Sequence, residues 1–220
     1  MRVPKTHHYD TSEKITTVHL DKPIVIPRLP VVTNDRQKVK LIKSIETYIR
    51  SSLEYKDLIK YLKDYIDMNQ CEFFQNFDGR QKTGLIQIHH EPFDLFSITQ
   101  LVMNRQEKEF GYINELQVAE EVMRLHYRGL VGLIPLSVTV HELVHDGKII
   151  VPLNCVYGKF VQFVKEYYDY IDDIYIDMLT KKIDQTKNLK AEDMSILSVR
   201  YIYTDVDGYK LPLLQDVEEK

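Results

Sequence analysis

The 220-residue chain has no tryptophan and only two cysteines, eight glycines and eight prolines. Cys71 and Cys155 are far apart and in no Cys-x-x-Cys pair, so neither a thiolate zinc knuckle nor a redox dithiol is supported. The scarcity of glycine and proline excludes collagen-like and low-complexity chains. No run approaches ~18 uninterrupted apolar residues, and the segment Met1–Asp10 lacks an apolar signal core. A cytoplasmic protein with no membrane partner is expected. Neither charge sign dominates: the net charge is −4, which argues against a protein that simply coats nucleic acid. The balance is uneven, with Lys and Arg in excess over residues 1–90 and Asp and Glu in excess beyond them.

What is present fits a globular protein. Hydrophobic residues make up 44% and charged residues 28%, and a chain of this length can bury roughly 70% of its unfolded surface. Residues 1–34 read as extended and irregular, because Pro4, Pro23, Pro27 and Pro30 disfavour helix at the residues before them. Residues 36–67 predict helix, from the apolar stripes Val39, Ile42, Ile45, Ile49, Leu53 and Leu58, Ile59, Leu62, Tyr65, Ile66. Leu85–His90 reads as a strand, 94–106 and 112–128 as helices, and Leu130–Leu136 as a second strand. Ser137 or Thr139 then caps a short helix through His145. Residues 158–185 predict one long helix rich in tyrosine and aspartate, and Ser198–Tyr203 a last strand. The aromatic seam of 158–185 offers a surface for an oligomer or protein partner. The fold class is α+β. It divides into an extended arm (1–35), a helical part (36–81), a small ββα core with inserted helices (82–153) and a helical C-terminal part (154–220).

Four of the eight histidines form a pattern. His141 and His145, four apart on a helix, project from one face and can grip a divalent metal through two imidazole nitrogens. His89 and His90 end a strand, where one could supply a third ligand and the other a general base. His126 fits no position of the pattern and reads as a helix C-terminal residue favoured by the dipole.

Leu85–His90 together with Gly132–Gly147 resembles the HNH endonucleases of the ββα-metal fold, most of all the His-His plus His-x3-His version of colicin nuclease domains. The resemblance implies metal-dependent hydrolysis of phosphodiester bonds in DNA, with RNA as a further substrate. His90 would act as the general base and His89, His141 and His145 as ligands of one divalent ion. Zn²⁺, Mn²⁺ or Ni²⁺ would suit three imidazoles better than Mg²⁺. Arg80 and Lys82 would contact the scissile phosphate, and Glu91 and Glu142 would support the ligands from behind. The chain departs from the family in three places. Gly132 stands where the family carries Asn, Ser137 and Val140 stand where it carries cysteines, and the segment 91–140 is long. Proteins of this kind are frequent in phage genomes, so a phage-encoded protein acting in the host cytoplasm is expected. Two alternatives compete: a catalytically degenerate binding or structural protein on the same core, and a domain in which the histidines only staple the fold.

Overall fold

The computed structural model describes residues 34–74, 78–80 and 84–187. The expected arm up to residue 33, Lys82 and the strand at 198–203 lie outside the described residues, while residue 35, expected in the arm, already begins a helix. The class is α+β, as expected: among the described residues, seven α-helices accompany one two-stranded antiparallel sheet.

Helix α1 (Asp35–Ser51) starts at Asn34, whose side chain accepts from the Arg36 N–H, and buries Ile42, Ile45 and Ile49. Helix α2 (Leu53–Asp64) follows at once and buries Tyr55, Leu58 and Leu62. The single helix expected over 36–67 is therefore two. Ser52 ends one and begins the other: its N–H donates to the carbonyls of Tyr48 and Ile49, and its side chain accepts from the Tyr55 N–H.

Strand β1 (Ile86–His90) leads into α3 (Leu95–Phe110), capped by Asp94, and α4 (Glu115–Tyr127), capped by Asn114. The left-handed Gly111 (φ 71°) closes α3. Strand β2 (Leu133–Ser137) returns antiparallel to β1, pairing Ile86 with Ser137, Ile88 with Pro135 and His90 with Leu133. Helix α5 (Val138–His145) begins where β2 ends, with Ser137 as its cap, and packs on both strands. The order strand, two helices, strand, helix matches the expected core.

The long helix expected at 158–185 is instead α6 (Phe160–Tyr167), a 3-10 turn and α7 (Asp173–Lys187). No Gly or Pro forces the break. Asn104 donates to the Tyr170 carbonyl (3.3 Å) and Lys108 to the Asp169 carbonyl (3.0 Å). Side chains of α3 thus take carbonyls that a continuous helix would use itself. One hydrophobic core runs from Ile42 in α1 to Ile183 in α7, so the helical parts at either end are not separate bodies. Among the described residues no helix is long and apolar enough to cross a membrane.

Candidate metal centre

Consecutive residues of a strand face opposite ways, and β1 stays regular to its last pair, His90 with Leu133. His89 therefore looks toward α5. Its ring centroid lies 4.9 Å from that of His141 and 5.0 Å from that of His145. The two helix histidines bring their Nε2 atoms to 3.3 Å. One nitrogen from each of the three lies within 4.8 Å of the others, so the structure brings together the three histidines expected as ligands. His89 is buried, His141 half-buried and His145 exposed. Burial, reinforced by the neighbouring His89 and His145, lowers the His141 pKa to about 4, so its imidazole is neutral near pH 7 and has a lone pair to offer.

Glu91 sits beside this group. It is buried, its Oε2 lies 3.4 Å from His89 Nε2, and its other oxygen pairs with Lys182 of α7. Glu142, the other carboxylate expected to support the ligands, is exposed on α5.

His90 is not part of the site. With β1 regular to its end, its ring lies on the far face, where its Nε2 is 3.0 Å from His126 Nε2 and the ring stacks on Tyr55. The tautomers follow from the neighbours. A carbonyl can only accept, so His126 Nδ1–H donates to Val122 O (2.7 Å). His126 Nε2 is then bare in the neutral ring and accepts from His90 Nε2–H. Burial holds both pKa values down, His126 to about 4 and His90 well below the usual histidine range, where the neighbouring His126 adds to the effect. A ring so enclosed has no route to activate water beside the triad. His126 is thus a buried core residue and not one set by the helix dipole; its place four after Val122 on the buried stripe of α4 is the sequence signal for this.

Arg80 does not point a free charge at the site. Its guanidinium pairs with Asp67 (2.8 Å) and Asp78 (3.3 Å). Lys82 lies outside the described residues. Gly132 also has a local reason that differs from a lost Asn. Glu91 N–H donates to its carbonyl (3.0 Å), and a Cβ there would lie 1.9 Å from the Glu91 carbonyl oxygen and 2.8 Å from Val156 Cγ1. No side chain fits where the chain leaving β1 crosses this closely.

A family model described as bacteriophage G278-like virion protein matches residues 10–206. No curated protein and no solved structure matches the chain. The match overturns the resemblance to HNH endonucleases, and with it the expectation of a DNA-hydrolysing nuclease. The phage origin stands: the chain belongs to the bacteriophage G278-like virion protein family.

Proposed function

We propose that the protein is a non-catalytic structural component of the phage particle. The observation that carries this reading is the virion-protein family match over residues 10–206, nearly the whole chain. Two features of the molecule support it. The histidine that would have served as a base is enclosed with His126 on the far face of β1, so the triad has a metal-binding geometry without that partner for water. The described surface also carries large apolar side chains, among them Leu53, Tyr65, Leu85 and Ile174, each more than two-thirds exposed. Such residues suit contacts between proteins in an assembly.

The test is composition of the particle. Density-purified phage is washed in high salt and analysed by quantitative mass spectrometry. The chain is expected at a fixed number of copies per particle, retained through the wash. Its absence from purified particles, with abundance in the lysate of infected cells, overturns the reading.

A further inference from the structure

We propose that His89, His141 and His145 bind one Zn²⁺-class transition ion as a structural clamp that holds α5 on β1. The proposal does not depend on the virion role, since it concerns how this chain holds itself together.

The helix pair already has the spacing of a loaded site, and His89 stands within reach of both. Two nitrogens on a tetrahedral ion with bonds of about 2.0–2.1 Å lie roughly 3.3–3.4 Å apart, and His141 Nε2 and His145 Nε2 are 3.3 Å apart. The His89 ring stands almost equally far from both. Three imidazole nitrogens favour Zn²⁺, Ni²⁺, Co²⁺ or Cu²⁺ over the oxygen-seeking Mg²⁺ and Ca²⁺. His145 is at the surface, which gives an ion a way in.

The fold supplies the reason for a clamp. Helix α5 has eight residues, of which Val140 alone is buried, with Val144 partly buried against the core. A helix this short does not hold in water without tertiary support. His141 lies in its first half and His145 at its last residue, so one ion bonded to both and to His89 would fix both position and rotation of the helix. Metal-ligating histidines commonly have a carboxylate behind them that sets the ring's orientation. Glu91 Oε2 lies 3.4 Å from His89 Nε2, so it would fill that place with His89 Nδ1 as the ligating atom, and its pair with Lys182 carries the connection on to α7.

The experiment uses the full chain, stripped with chelator and titrated with Zn²⁺ alone. Elemental analysis after desalting is expected to give one zinc per chain. Melting temperature is expected to rise by about 5–10 °C at a free zinc about 100-fold above Kd. Co²⁺ in place of Zn²⁺ is expected to give the visible absorption of a four-coordinate ion, held by the three imidazoles and one water. The variant His141→Ala/His145→Ala is expected to lose the zinc and the zinc-dependent rise. Should the double variant fold poorly, His145→Ala alone alters an exposed side chain and is expected to weaken zinc binding at least 100-fold. Full zinc content in either variant, or a wild-type melting temperature that zinc does not move, overturns the clamp.

Discussion

At the scale of single residues, the most informative positions are those whose chemistry is turned inward. His126 is buried and its pKa is lowered to about 4, with burial the main cause. The unfolded chain, with a pKa near 6.5, binds this proton more readily than the folded one. Its contribution to stability is therefore complete above pH 6.5 and is lost as pH falls through 6.5 toward 4. The size is about 2 kcal/mol by pH 5. Unfolding free energies of metal-free protein from urea titrations at pH 7.5 and pH 5 are expected to differ by that amount more in the wild type than in His126→Gln; equal pH dependence in the two would rule out the histidine as the source. Gly132 is the second such position. A Cβ at 1.9 Å from a backbone oxygen forces the exit of β1 away from β2, so Gly132→Ala is expected to cost about 3 kcal/mol, at the upper end of overpacking, in the same denaturation assay. The triad was legible in the sequence because its information is local: a spacing of four on a helix and a histidine at a strand end. The His90–His126 pair was not, because 36 residues separate its members and no spacing rule joins them. Gly132 was read against a template as a missing Asn, whereas its reason is a backbone approach visible only in three dimensions.

At the scale of elements, types were legible and interruptions were not. The apolar stripe of 36–67 continues past Ser52, so periodicity alone reads one helix where there are two. Ser52 is the whole signal of the break. Its hydroxyl donates to the Ile49 carbonyl (2.7 Å) and accepts from the Tyr55 N–H (3.1 Å), serving the end of α1 and the start of α2 together. Ser52→Ala removes both bonds and is expected to lower stability by about 1–2 kcal/mol, whereas Ser51→Ala, at an exposed serine that bonds only the Tyr48 carbonyl, is expected to change it by less than about 0.5 kcal/mol. Comparable losses in the two variants would show that the hydroxyl of Ser52 is not the cap. The break after α6 has one weak local signal, Asp172 in the N-cap position of α7 with Asp173 in its first turn. Asn104 and Lys108 supply its donors from α3, more than sixty residues earlier, and an aromatic run such as 158–185 shows nothing of that.

At the scale of the whole molecule, a core continuous from α1 to α7 means that the helices before and after the sheet share their stability. Tyr167 is the side chain that tests this. It is wholly buried in α6, its ring stacks on Phe163 at 4.7 Å, and the Arg105 guanidinium of α3 lies 5.3 Å from its centroid. Its hydroxyl donates to Glu121 of α4 at 2.9 Å. Packing and hydrogen bond can be weighed against each other there. Tyr167→Phe keeps the ring and loses one bond to a carboxylate that Arg124 also engages, an expected cost of about 1–2 kcal/mol. Tyr167→Ala also empties the ring's volume, an expected cost of about 4 kcal/mol. With no tryptophan and fifteen tyrosines, near-ultraviolet circular dichroism reports tyrosine packing throughout the chain, and far-ultraviolet circular dichroism reports the helices. If the core is one cooperative body, Tyr167→Ala lowers the midpoint seen by both probes by the same amount, although α1 and α2 lie far from residue 167 in the chain. If the helices at 36–81 formed their own unit, the far-ultraviolet signal would split into two transitions and only one would move. The continuous burial from Ile42 to Ile183 requires the single, shared transition, because α6 packs on α3 and α3 packs in turn on α1 and α4, so loosening α6 loosens the helix that holds α1.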